Sequence, residues 1–234
     1  MSVAAAPASV GVLLLDFDGT VSVGDEPVLL YARLVAEGAG EPGILEAVNG
    51  FLRGERDEAH GGARDGYQLV ARLAAAAEVP ADILRDAYGE SRGQVDAGLV
   101  PIEPPEHLRE LLAELPDGIH VALVTNAPAA KLGPVLDGFG LTDVIDEIVG
   151  SAQKPELMPE HVERLLTEHG LTEIPTSLLS IGDIWGNDLA AAHDRGCRTA
   201  LIDRFGFKDG EPDVSAPDFP GLYAYVRRWA ASLA

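Results

Sequence analysis

The stretch Val10-Gly11-Val12-Leu13-Leu14-Leu15-Asp16-Phe17-Asp18-Gly19-Thr20 decides how the rest of the chain is read. Its first six residues are apolar without interruption and are closed by an Asp/Gly turn signal. A short, uniformly apolar run ended in this way predicts a strand buried on both faces, as in a parallel sheet. Outward from it, comparable runs recur at 121–124, 145–149, 178–181 and 199–202. Helical patterns occupy 105–115, 131–139, 159–169 and 188–195, and a closing helix is expected over 222–233. Pro or Asp stands near several helix starts, and Gly140, Gly170 and Gly196 follow three ends, as capping chemistry prefers. Strand alternating with helix predicts an α/β fold: a parallel, Rossmann-like sheet sandwiched by helices and built from right-handed crossovers.

The alternation lapses between residues 21 and 100. That stretch holds helical patterns at 28–37, 44–53, 65–78 and 81–94, separated by Gly- and Pro-bearing joints, and shows no buried strand. The economical reading is an all-helical cap over 21–100, inserted after the first strand, with 1–20 and 101–234 forming the core domain. Such an insertion leaves the sheet near the carboxyl end of its first strand, the edge at which open α/β sheets bind ligands.

Composition narrows the partners. With 17 Lys+Arg against 38 Asp+Glu, the chain carries −21 and lacks the clustered cations that a nucleic-acid backbone or an anionic membrane surface requires. Cys197 is the single cysteine and forms no internal disulfide. Residues 1–9 are Ala-rich and uncharged, without the features of a signal peptide, and predict a frayed tail. No apolar run approaches the roughly 18 residues of a membrane span. These features predict a soluble, cytoplasmic protein, as monomer or homodimer.

The chemistry sits where strands end. Asp16 and Asp18 follow the first strand; alone, Asp-x-Asp-Gly-Thr serves equally as a turn, yet a carboxylate on that edge suits a metal ligand or a nucleophile. Gly182-Asp183-Ile184-Trp185-Gly186-Asn187-Asp188 places further carboxylates after another apolar run. Asn187 or Asp188 could simply cap the next helix, but that leaves Asp183 unexplained. Like charges gathered from two strand ends repel, and a hard divalent cation such as Mg²⁺ reconciles them. Thr125 and Asn126 end the strand at 121–124 with a hydroxyl and an amide, either phosphate donors or a helix cap. Lys154, one of only three lysines, precedes Pro155 in a loop after the next strand, where it is either a site cation or a surface residue.

Taken in order, Asp16-Phe17-Asp18-Gly19-Thr20, Thr125-Asn126, Lys154-Pro155 and Gly182-Asp183 with Asn187-Asp188 resemble the four motifs of the haloacid dehalogenase superfamily. The resemblance spans essentially the whole chain, and the helical insertion matches in position and size that family's C1-type cap. It implies that Asp16 attacks phosphorus and becomes an aspartyl-phosphate, while Asp18 acts as general acid and then base. Thr125 and Lys154 would hold the transferring phosphoryl group, with Asn126 and Gly19 beside it. Asp16, Asp183, Asp188 and the main-chain carbonyl of Asp18 would serve Mg²⁺. Asp18 is present, which sets the chain apart from the dehalogenases of that family, and residues 21–100 contain no lysine for phosphonate cleavage.

The resemblance implies a Mg²⁺-dependent phosphatase acting on a small-molecule phosphate ester. Its rivals are a phosphomutase of the beta-phosphoglucomutase type and a non-catalytic binding protein of the same fold. The Gly-rich loop at 59–66 is similar in placement to the specificity loop of capped members, and Arg64 is either an anion clamp or a solvated loop residue. Trp185, in the loop between Asp183 and Asp188, either faces the cap or packs locally, and local packing is the favoured reading. Lys154→Ala is expected to lower turnover far more than it alters folding.

Overall fold

The computed structural model describes residues 10–55 and 57–233; the tail expected over 1–9 lies outside them. The chain divides into two compact units, one of Met1–Val23 with Pro104–Ala234 and one of Gly24–Glu103. The division falls three residues beyond the boundaries expected from sequence.

The first unit is built on a parallel sheet. Its strands are β1 (Gly11–Leu15), β2 (Ile119–Val124), β3 (Glu147–Val149), β4 (Leu178–Gly182), β5 (Arg198–Ile202) and β6 (Val214–Ala216), in the order β3-β2-β1-β4-β5-β6. Side chains of β1 alternate between two cores, as a period of two dictates. Leu13 and Leu15 join one face with Leu123, Leu179 and Ile181, while Val12 and Leu14 join the other with Ala122, Val124 and Leu178. The first face is covered by α5 (Leu108–Ala113), α6 (Ala129–Gly138) and α9 (Tyr223–Ala231), through Leu111, Leu136 and Trp229 among others. The second is covered by α7 (Met158–Glu168) and α8 (Ala190–Asp194), through Met158, Leu165, Leu166 and Ala192. Each fully buried leucine contributes about 1.5–3 kcal/mol of transfer free energy, so every β1 position is committed to packing.

The sequence reading missed β6. Its three residues, Val-Ser-Ala, sit between Pro and Asp signals and are only partly buried, which leaves no apolar run to detect. The helix expected at 188–195 is also divided. Residues Trp185–Leu189 form a π-helical turn, and α8 begins at Ala190.

The second unit is helical, with α1 (Glu26–Ala39), α2 (Gly43–Leu52), α3 (Gly66–Ala76) and α4 (Ala81–Asp96). α1 packs against the other three and buries Leu30, Ala32 and Val35. The Ser91 hydroxyl of α4 donates to the Pro27 carbonyl at 2.9 Å, which satisfies a polar group in the interior. Tyr31, Tyr67 and Tyr88 cluster with ring centroids 5.7–6.3 Å apart.

Candidate active site

The strand order places β2 and β3 on one side of β1 and β4 to β6 on the other, so the direction in which strands are added reverses beside β1. Ligands of open parallel sheets bind outside the carboxyl ends of the strands at such a reversal. The residues just past those ends are Asp16, Thr125 and Asp183. The ladder continues one residue beyond the strands: the Asp16 N–H donates to the Ile181 carbonyl at 3.0 Å and the Thr125 N–H to the Val149 carbonyl at 2.9 Å. The main chain of both residues is therefore fixed by the sheet.

Lys154 lies between two carboxylates. Its Nζ donates to Asp16 Oδ1 at 2.7 Å and to Asp188 Oδ1 at 2.6 Å, with all three residues buried. Such a group is costly to desolvate and holds together only when fully paired. Burial pushes the Asp16 carboxyl up to about 7; Asp188 and Asp18 add to the rise and Lys154 opposes it. Burial alone would lower the Lys154 ammonium, but the two carboxylates outweigh it and hold its pKa above the ordinary lysine value. A lysine charged in this way is a fixed point cation for an oxyanion.

Main-chain and amide contacts aim this lysine. Asn126 Oδ1 accepts the Lys154 N–H at 2.7 Å, and Asn126 Nδ2 donates to the Lys154 carbonyl at 2.8 Å. The Asn126 amide thus braces the Lys154 main chain, next to the cis Lys154–Pro155 bond. Thr125 is buried, and its Oγ1 accepts the Ala127 N–H at 3.0 Å, which leaves the hydroxyl hydrogen to be donated elsewhere. Asp188 is held from three directions. Its Oδ2 accepts the Ile184 N–H at 3.0 Å, its carbonyl accepts the Ser180 hydroxyl at 2.7 Å, and its Oδ1 accepts Lys154.

Asp183 approaches from the β4 end. Gly19 has φ +82°, and a Cβ built on it would stand 2.3 Å from Asp183 Oδ2. Only glycine combines that backbone with that approach, so Gly19 admits the carboxylate into the site. Asp16, Asp183 and Asp188 each present an oxygen, and these lie within 4.8 Å of one another. An all-oxygen, anionic donor set with no sulfur or imidazole suits a hard divalent cation. Asp18 is half-buried on the same turn and is not one of the three.

Comparison with known proteins sets this geometry in a family. The model for haloacid dehalogenase-like hydrolases matches residues 10–196. The chain belongs to that family. Its sequence is 28% identical over 213 residues to a phosphoglycolate phosphatase of Vibrio vulnificus, covering 88% of this chain and 90% of that protein. A haloacid dehalogenase-like hydrolase of Streptococcus pneumoniae superposes with a TM-score of 0.64 at 16% identity, over 92% of this chain and 97% of that one. A predicted phosphoglycolate phosphatase of Haemophilus somnus superposes with a TM-score of 0.61 at 22% identity, with the same coverage. Both superpositions speak for the fold.

In this hydrolase the structure gathers Asp16, Asp183, Asp188 and Lys154 at one sheet edge, and binds Asn126 to Lys154. Arg64 lies in the helical unit, half-buried on the turn before α3, where its N–H donates to Gln68 Oε1 at 3.1 Å. Asp65, next to it, caps α3 by accepting the Gln68 N–H at 2.6 Å. Among the described residues no helix is long and apolar enough to cross a membrane. Two supports escaped the sequence reading: the Asn126 clamp on Lys154 and the Ser180 hydroxyl under Asp188. Asn126 signals only a polar strand end, and Ser180 is one small residue in an apolar run, so neither carries a motif of its own.

Proposed function

We propose that the protein is a Mg²⁺-dependent phosphatase that hydrolyses a small phosphorylated metabolite through an aspartyl-phosphate on Asp16. The observation that carries this reading is the buried Lys154 held between Asp16 and Asp188, beside a third carboxylate, Asp183. Asp16, Asp183 and Asp188 would hold the metal, which when bound supplies positive charge for the phosphoryl oxygens and favours the ionised form of Asp16. An Asp16 carboxylate oxygen attacks phosphorus, and the bond from phosphorus to the ester oxygen breaks. Asp18 gives its proton to that departing oxygen. Water then attacks the phosphorus of the aspartyl-phosphate, its proton passes to Asp18, and Asp16 is released as a carboxylate with inorganic phosphate. Lys154 and the Thr125 hydroxyl bear the charge of the transferring group throughout, in a buried setting where fixed charges act strongly.

The names of the relatives add phosphoglycolate to the compounds to be tried. The test is phosphate release with Mg²⁺ over sugar phosphates, nucleotides and phosphoglycolate, with Asp16→Asn as control. Release from at least one ester by the wild type alone is expected. Wild-type protein as inert as Asp16→Asn across the panel would overturn the reading.

A further inference from the structure

The segment after β5 folds back onto the loop that carries Asp183 and Asp188. Its turn is pinned by Asp203, whose two carboxylate oxygens accept the N–H groups of Phe207 at 2.8 Å and Lys208 at 2.9 Å. Two residues on, Gly210 meets the indole of Trp185. Gly210 has φ +63°, and a Cβ built there would lie 2.0, 2.1 and 2.5 Å from Cδ2, Cε2 and Cε3 of the ring. Those atoms belong to a rigid fused ring, so the contact cannot be relieved by bending the tip of a flexible chain. Any side chain at 210 must displace either the indole or its own loop.

Trp185 is not a free-standing surface residue. It is partly buried, and the His193 ring of α8 lies 5.3 Å away, centroid to centroid. Its own carbonyl accepts the Ala190 N–H, and it opens the π-helical turn Trp185–Leu189 that ends beside Asp188. Asp183 is two residues before it. π-helical turns are rare, and they recur at functional sites where the surroundings hold them. The indole is thus the handle by which the loop at 203–210 grips the turn joining two carboxylates of the site.

We infer that Gly210 is a positioning residue for the Asp183 and Asp188 carboxylates. By packing its bare Cα on Trp185, it fixes the turn that brings both to Asp16, and so sets affinity for the divalent cation. The inference rests on reading Asp16, Asp183 and Asp188 as a Mg²⁺ site.

The experiment measures Mg²⁺ binding by calorimetry on the full chain, with no substrate present, for wild type, Gly210→Ala, Trp185→Leu and the double variant. Gly210→Ala is expected to weaken Mg²⁺ roughly tenfold, the scale on which groups supporting metal ligands act. Thermal midpoints should stay within about 5 °C of wild type. In a Trp229→Phe background, which leaves Trp185 as the only indole, Gly210→Ala should also shift the tryptophan emission. In a Trp185→Leu background, adding Gly210→Ala should cost little more affinity, because the ring that it strikes is gone. Should Gly210→Ala fail to fold, Trp185→Leu alone must weaken Mg²⁺. Unchanged affinity in both single variants overturns the inference, as does an equal loss from Gly210→Ala with and without the indole. Wild-type protein that takes up no Mg²⁺ overturns this inference together with the metal site itself, whereas wild-type binding retained in the variants removes this inference alone.

Discussion

The two units bury polar groups in opposite ways. The core unit gathers charge: one ammonium between two carboxylates, all buried, with a third carboxylate nearby. The helical unit gathers neutral rings, with Tyr31 stacked on Tyr67 and both meeting Tyr88 edge-on. The charged cluster is held by loops at strand ends and by hydrogen bonds of specific direction. The aromatic cluster is held by helix packing, where area and shape suffice. The contrast sets a cluster proposed for a reaction against one that serves packing, and each substitution below presses on one side of it.

Asp16→Asn should have the largest effect. The amide keeps the shape of the carboxyl but cannot form the aspartyl-phosphate, so phosphate release should fall on the order of 10⁴-fold or more, as loss of a nucleophile does. Circular dichroism and the urea midpoint should show a folded protein. A variant with appreciable turnover would move the nucleophile away from Asp16.

Lys154→Met comes next, and it should damage both turnover and folding. Removing one partner of a buried ion pair leaves uncompensated charge and costs about 3–5 kcal/mol; here two carboxylates, Asp16 and Asp188, would face each other unpaired. This revises the expectation from sequence that a Lys154 variant lowers turnover far more than it alters folding, because the sequence offers a loop lysine and the structure shows a buried one. Urea unfolding with and without Mg²⁺ tests it: the midpoint should drop without the cation and partly recover with it. A midpoint equal to wild type in both conditions would make the triad energetically idle.

The same contrast explains what was legible. Charged and polar residues at strand ends stand out against apolar runs, so Asp16, Thr125, Lys154 and Asp183 could be picked from sequence together with the order of the long strands. Tyr31, Tyr67 and Tyr88 could not be grouped, because each lies on its own helix at an ordinary packing position and only the folded arrangement joins them. Gly210 is further from view. Its use depends on an indole 25 residues earlier in the chain, and one glycine before Glu-Pro looks like any loop glycine. Arg64 stands out in the sequence for its Gly-rich surroundings, and the local structure there is set by its neighbour Asp65, the helix cap.

Tyr31→Ala tests the aromatic side. Tyr31 is 7% exposed, and truncating a buried aromatic ring costs about 3–5 kcal/mol. The urea midpoint should fall accordingly while Mg²⁺ affinity stays at the wild-type value, since the ring carries no charge to the site. A change in metal affinity of tenfold or more would break the division of labour between the two units.

Asp143→Asn should have the smallest effect, and it asks whether burial or charge pairing as such gives the Lys154 triad its weight. Asp143 pairs with Arg109 at 2.5 and 2.9 Å, a two-pronged contact as close as those of Lys154, but on the surface. The hydrogen bonds from Arg109 push the Asp143 carboxyl down to about 2 from an ordinary 3.8. A carboxyl depressed in this way adds stability that is complete above its unfolded-state value and is lost as pH falls through the folded one. Any gap in melting temperature between wild type and Asp143→Asn should therefore be fully present at pH 6, close between about pH 4 and pH 2, and shrink in about 1 M salt. Water solvates both partners whether paired or not, so the gap at pH 6 should be at most about 2 °C. A gap as wide as that of Lys154→Met would mean that close pairing, not enclosure, stabilises charges in this protein, and the buried triad would lose its claim to be different in kind.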